Sequence, residues 1–259
     1  MSQKHIPIQF LGQSGCRLDF PDAVIYVDPY LSNSVQELDA QDLERLLPIP
    51  TCPENVTDAT WVLITHDHID HCDPHTLPKL AVASPQCLFL GPPPVLARLK
   101  EWGVAPNRLH QAQESWGDLE FGLRVHAVPA AHPTILRDHA GHSLCIGFIL
   151  EYAGSRVYFA GDTTITQELL DILRCHLPIS TAILPVNEQN FFRSRRGIIG
   201  NMSVREAFLL AEEMHIAHVV PVHWDMFVAN AVYPDEIKVV YRHMHPNFEL
   251  LLQPEFLPL

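Results

Sequence analysis

The chain has 259 residues, 47% hydrophobic and 18% charged, with a formal net charge of −13 when histidine is counted neutral. This is the composition of a globular protein with a sizeable core, and the acidic balance argues against a nucleic-acid partner, whose backbone asks for a basic face. No apolar run is long enough for a bilayer, the six cysteines are scattered without a Cys-x-x-Cys pair, and the N-terminus lacks a signal-peptide pattern; the expectation is a cytoplasmic protein with reduced thiols and no membrane partner.

In chain order, residues 6–11 predict a strand, 12–15 a tight turn, 16–20 its hairpin partner and 24–27 a third strand running into Asp28-Pro29-Tyr30. Asp28 is read as a cap or brace behind the loop that comes later in the chain, with an ordinary turn residue as the alternative. Residues 31–60 are polar and proline-punctuated, a long loop with one short helix over 39–47 and the character of a lid. Next, Trp61-Val62-Leu63-Ile64 predicts a strand that delivers Thr65-His66-Asp67-His68-Ile69-Asp70-His71. Three imidazoles and two carboxylates within six residues serve no structural purpose, since His and Asp are mediocre helix formers and turns favour Gly, Pro and Asn. Their N and O donors suit zinc or manganese, and the spacing is too tight for one direction, so two neighbouring divalent cations are expected. Asp73-Pro74 reads as a helix start, continued over 77–83, followed by a strand at 87–90 and a helix over 93–102 that Gly103 ends.

The second half alternates in the same way. Strands within 117–131 end on Ala130-Ala131-His132; 143–152 and 156–160 form a hairpin that ends on Gly161-Asp162-Thr163; a helix follows over 166–174 and a strand over 182–186. Ser203-Val204-Arg205-Glu206 is a capping box that opens an amphipathic helix. A strand over 218–222 delivers His223, and a helix over 234–243 and a strand over 248–252 close the chain, read as one domain over 1–259. Three strand ends therefore offer a ligand: His132, Asp162 and His223. The assignment is His66, His68 and His132 on one cation and Asp70, His71 and His223 on the other, with Asp162 bridging. His139 and His142 rival His132 from a nearby polar loop, and Cys72 is read as packing.

The ordered set His-x-His-x-Asp-His, a lone His, Gly-Asp-Thr and a strand-end His resembles the metallo-β-lactamase superfamily. The resemblance implies an α/β fold, the αββα sandwich, with a binuclear hydrolytic centre. Asp28-Pro29-Tyr30-Leu31, Thr65-His66-Asp67-His68, Gly200-Asn201-Met202 and Pro221-Val222-His223-Trp224 are similar to the branch that includes ascorbate-6-phosphate lactonase, which implies a cytoplasmic, often manganese-dependent homo-oligomer. Diiron members of the superfamily carry Glu where His68 stands, which speaks against a redox centre.

The expected activity is hydrolysis by water activated between two cations (Mn2+ or Zn2+), with Asp70 and Asp162 catalytic. The expected substrate is a lactone or similar ester of a small anionic sugar, such as ascorbate 6-phosphate; a phosphodiesterase or nuclease is the alternative. Its anionic group is assigned to Arg193, Arg195 and Arg196, read as a Gly-flanked loop, with Asn201 as a further donor. A solvated loop, a subunit contact and a turn Asn are the plainer readings of these four residues.

Overall fold

The computed structural model describes residues 5–259. In chain order the first half carries β1 (His5–Gly12), β2 (Gly15–Asp19), β3 (Val24–Val27), β4 (Trp61–Leu63), α1 (Leu77–Ala83), β5 (Leu88–Gly91), α2 (Pro93–Glu101) and β6 (Leu109–Gln111). The second half carries β7 (Gly117–Asp118), β8 (Leu123–Pro129), β9 (Ile146–Tyr152), β10 (Ser155–Phe159), α3 (Gln167–Cys175), β11 (Thr181–Pro185), α4 (Phe191–Arg195), α5 (Val204–Glu213), β12 (His218–Val222), α6 (Pro234–Met244), β13 (Glu249–Leu250) and β14 (Phe256–Pro258). Two seven-stranded sheets result, in the orders β14-β1-β2-β3-β4-β5-β6 and β13-β12-β11-β10-β9-β8-β7.

The strand period of two explains the layers. In β4, Leu63 enters the core between the sheets, where Leu18 and Ile25 meet Phe148, Val157 and Val220 from the opposite sheet. Its neighbour Val62 points the other way, onto Leu77, Leu80, Val95 and Leu99 of α1 and α2. Likewise Phe159 of β10 faces the central core and Tyr158 faces α3 and α5. Helices thus cover both outer faces, and central strands buried on both sides read as continuous apolar runs rather than alternating ones. Truncating a fully buried leucine in these layers costs about 2–5 kcal/mol.

Strand direction collects the functional loops on one edge. β3, β4 and β5 run parallel, as do β10, β11 and β12. β8 is antiparallel to β9, which is antiparallel to β10, so β8 shares the direction of β10. The C-terminal ends of β3, β4, β8, β10 and β12 therefore open on the same side, and the Ile146 amide donates to the Thr65 carbonyl at 3.0 Å to tie the two sheets together there.

Three expectations need correction, and two strands were not expected. The helix expected over 39–47 is instead a wide helical turn at Val35–Asp39. Beyond it, backbone order comes from Arg45, which donates to the carbonyls of Tyr30 (3.0 Å) and Ser32 (3.2 Å) and lies over the Tyr30 ring. Asp73 does not open a helix: its carboxylate accepts from the His75 amide at 2.9 Å and from the Ser32 and Thr76 hydroxyls, capping a turn, and α1 starts at Leu77 with Pro78 in its first turn. The segment read as an arginine loop contains the short helix α4, capped by Asn190, whose side chain accepts from the Arg193 amide. Strands β6 and β14, each three residues long, escaped notice because such short edge pieces carry little pattern of their own.

Candidate metal centre

Leaving β4, the chain is caught by Asp28, as the brace reading expects. Its Oδ1 accepts from the Thr65 amide at 2.8 Å, and its Oδ2 accepts from the Thr65 hydroxyl at 2.7 Å. Oδ2 also lies 2.8 Å from His71 Nδ1, which aims His71 Nε2 into the cleft. The turn that carries Asp162 depends on Gly161, whose φ is +61° and whose missing Cβ would meet the Ile146 carbonyl oxygen at 2.7 Å. His223 holds φ at +62°, an uncommon backbone state for a residue with a side chain, kept in place where its amide donates to the Gln13 carbonyl at 3.0 Å.

All seven residues expected from the sequence converge. Three trios bring one donor atom from each member within 4.8 Å of the others: His66, His68 and His132; His66, His71 and Asp162; and Asp70, His71 and His223. Asp162 lies between them, with Oδ1 3.4 Å from His71 Nε2 and Oδ2 3.1 Å from His223 Nε2 and 3.6 Å from His132 Nε2. Asp70 Oδ2 is 3.5 Å from His223 Nε2 and 3.7 Å from His71 Nε2. Of the rivals, His139 is exposed, and His142 turns to Asp138, with Nδ1 3.1 Å from that carboxylate. Cys72 packs among the apolar residues beneath α1.

The donor set fits a cation. His66 Nε2, His71 Nε2 and Asp162 Oδ1 are buried and have no hydrogen-bond partner, an arrangement that would be costly unless something else satisfied them. Burial and the neighbouring His71 imidazole hold His66 well below the ordinary histidine range, and burial brings His132 down to about 4, so both present neutral lone pairs at pH 7. Burial would raise the carboxyls of Asp162 and Asp70, but the adjacent His223 and His71 outweigh it and hold both below the usual range. Conversely, burial opposes protonation of His71 and His223, yet the carboxylates, Asp162 first, push His71 well up and His223 to about 9. Protons on those two rings balance the carboxylates, and a divalent cation would provide the same balance in the same place.

A cavity of about 700 Å3 opens over this cluster. His68, Asp70, His132, Asp162 and His223 form its floor; Val35, Leu38, Leu43, Ile198, Ile199 and Phe227 form apolar walls, and Arg98 and Arg196 supply positive charge. The three arginines expected to bind substrate part company here. Arg196 lines the cavity and pairs with Asp42, an exposed carboxylate outside the lining. Arg193 does not line it: Nη1 donates to the Glu188 carbonyl at 2.6 Å, Nε to Ala229 at 3.3 Å and Nη2 to Ala231 at 3.1 Å. Arg195 is exposed outside the lining. Asn201 is also absent from the lining and is buried, its amide nitrogen donating to Asn187 Oδ1 at 2.9 Å.

Two residues were missed. Gln13, read as a turn residue, donates to Asp70 Oδ2 at 2.6 Å. Arg98 reaches the cavity from α2; its only sequence signal was a cationic residue on an amphipathic helix, which is ordinary.

The family described as "Beta-lactamase superfamily domain" matches residues 24–224. The chain belongs to the metallo-β-lactamase superfamily. An uncharacterised protein of Mycobacterium tuberculosis (strain ATCC 25618 / H37Rv) is 28% identical over 222 residues, 86% of this chain; the match spans only 59% of that relative's length. A UPF0173 metal-dependent hydrolase of Pyrobaculum neutrophilum is 24% identical over 233 residues, 89% of either chain. The solved structure of a novel metallo hydrolase from the archaeon Ignicoccus hospitalis superposes with a TM-score of 0.71 at 19% identity and 99% coverage of both chains, a likeness of fold. Among the described residues of this chain, no helix is long and apolar enough to cross a membrane.

Proposed function

We propose that this superfamily member is a metal-dependent hydrolase that binds two divalent cations and opens a lactone or similar ester of a small anionic substrate. The observation that carries the reading is the position of Asp162, within 3.1–3.6 Å of His223, His71 and His132, between the trio at His68 and the trio at Asp70. Two cations there, manganese or zinc, would supply Lewis acidity and lower the pKa of a water towards neutrality. His66, His68 and His132 would hold one and Asp70, His71 and His223 the other. Asp162, placed between them, would help to hold both, and with Asp70 would orient the attacking water. A relative named as a metal-dependent hydrolase, matched along 89% of this chain, supports the reaction class.

Arg196 and Arg98 support an anionic group on the substrate, a role that Arg193 gives up to three carbonyls. The apolar walls favour a substrate with some apolar body besides that group. A sugar-phosphate lactone such as ascorbate 6-phosphate remains the first candidate, and a cytoplasmic, self-associating protein without nucleic-acid or membrane partners completes the proposal. The test compares turnover by manganese- and zinc-loaded enzyme of a sugar-phosphate lactone, a neutral lactone and bis(p-nitrophenyl) phosphate. Rapid lactone opening with slow phosphodiester cleavage is expected. The reverse ranking would move the protein to phosphodiester chemistry, and light scattering of the same sample checks self-association.

A further inference from the structure

From Asn230, which lines the cavity beside His223, a row of three buried carboxamides runs into the interior. Asn230 Nδ2 lies 3.3 Å from His223 Nδ1, Asn187 Nδ2 lies 2.9 Å from Asn230 Oδ1, and Asn201 Nδ2 lies 2.9 Å from Asn187 Oδ1. Exposure of the three is 8%, 0% and 1%, so water has little access to any of them. They come from separate parts of the chain: Asn187 follows β11, Asn201 precedes α5, and Asn230 ends the turn after β12. The backbone brings them together deliberately. Asn201 N donates to the Asn187 carbonyl at 3.3 Å, and the preceding Gly200 lies so close to Gln189 that a Cβ would stand 2.3 Å from its Cα. Met202 N donates to the Thr163 carbonyl at 3.1 Å, which joins the row to the loop of Asp162.

We propose that Asn230, Asn187 and Asn201 form a directional relay that sets the tautomer of His223 and thereby its strength as a cation ligand. His223 Nε2 is the atom that faces Asp162 and Asp70. A neutral imidazole carries one hydrogen, so a lone pair on Nε2 requires the hydrogen on Nδ1, and the group facing Nδ1 must then accept. Asn230 accepts through Oδ1 and cannot do so through Nδ2. A carboxamide exchanges its oxygen and nitrogen by a half-turn with almost no change of shape. In a row, however, each half-turn demands the next: if Asn230 accepts from His223, its Nδ2 must donate to Asn187 Oδ1, and Asn187 Nδ2 must donate to Asn201 Oδ1. The two directions of the row therefore correspond to the two tautomers of His223: as it stands, with Asn230 Nδ2 towards Nδ1, the row leaves the hydrogen on Nε2, and a cation on Nε2 requires the half-turn of all three. A single asparagine could turn independently; three linked in a dry interior turn together. The mismatch is left at the far end, where Asn201 Oδ1 is buried with no partner in the direction the row now runs. These are positioning residues, acting on the cation only through His223.

The inference rests on His223 being a cation ligand, and that premise has its own control: a His223→Ala protein that binds zinc in unchanged number and strength would refute the premise and the relay with it. The relay itself is tested by zinc titration of the metal-free protein against a competing chelator. Asn230→Asp supplies a permanent acceptor to Nδ1–H and is expected to keep or tighten binding. Asn230→Leu, of similar bulk without an acceptor, is expected to weaken one zinc by about 10–100-fold, the usual effect of removing a ligand's hydrogen-bond partner. Equal affinity in Asn230→Leu and wild type, or equal loss in Asn230→Asp and Asn230→Leu, would overturn the relay, because a packing role would favour the apolar side chain over the charged one. Should Asn230→Leu not fold, nitrogen NMR of zinc-loaded, histidine-labelled wild type decides: the hydrogen of His223 is expected on Nδ1, and finding it on Nε2 would overturn the proposal.

Discussion

Two polar stretches stood out in the sequence, the histidine-rich loop 65–71 and the arginine-bearing segment 191–201, and they fared differently in three dimensions. In the first, His66, His68, Asp70 and His71 all bring a donor atom into the three trios. In the second, three arginines within four positions go three ways, to carbonyls, to solvent and to the cavity, and Asn201 goes into the interior. The difference lies in what aims each side chain. His71 is short, buried and braced by Asp28, with little freedom left once the backbone is set. An arginine has several rotatable bonds and a five-donor fork, and it follows whichever acceptors folding brings near.

The sharpest way to break the comparison is His68→Ala. Turnover is expected to fall by more than the ~100-fold that losing a hydrogen bond behind a ligand costs, with one cation lost by elemental analysis and the melting curve of the metal-free protein nearly unchanged. Full activity with one cation gone would end the two-cation reading. Next comes Asp28→Ala, which strands the Thr65 amide and His71 Nδ1 in the interior. We expect about 3–5 kcal/mol lower stability in urea unfolding, together with weakened zinc binding. Arg193→Ala should cost about 1–3 kcal/mol of stability by orphaning three carbonyls, yet leave KM ratios between anionic and neutral esters unchanged. Arg196→Ala should do the opposite, raising KM for anionic substrates a few-fold with little effect on melting, since its exposed pair with Asp42 contributes little.

A pH series probes the loop side from another direction. The His223 pKa is raised to about 9 in the folded protein, above the ordinary ~6.5, so its contribution to stability is full below about 6.5 and lost as pH rises through about 9. The melting temperature of the metal-free protein should therefore decline between those values, while the zinc-loaded protein, in which a cation replaces that proton, should decline less. Equal slopes for the two forms would mean that the proton and the cation do not share the His223 site.

Much of this molecule was legible in its sequence. The strands at residues 61–63 and 218–222 announced themselves because burial on both faces demands apolar runs, and those at 123–129 and 155–159 because their β-branched and aromatic residues lead straight into a buried strand end. The capping box at Ser203 and Glu206 formed as read, because its hydrogen bonds close within one turn. The turn at Val35–Asp39 was misplaced by several residues because its first amide, Val35 N, is held by the Tyr30 hydroxyl and Tyr30 in turn by Arg45, contacts that local pattern does not announce. Asp73 was misread for a related reason: a capping aspartate looks the same in sequence whether the amide it holds belongs to a helix or, as with His75 here, to a turn that hydroxyls from Ser32 and Thr76 help to fix.

By itself, then, the sequence determined the layered α/β fold and the seven convergent His and Asp side chains. Both follow from short-range rules: a period of two along strands, and His and Asp side chains placed at the ends of strands that run the same way. Tertiary structure decided what those rules do not reach. It chose Arg196 and Arg98 over Arg193 to face the cavity, brought Gln13 to Asp70, and set Asn230, Asn187 and Asn201 in a row that starts beside His223. Each of these depends on contacts between residues far apart in the chain, where only packing settles which donor meets which acceptor.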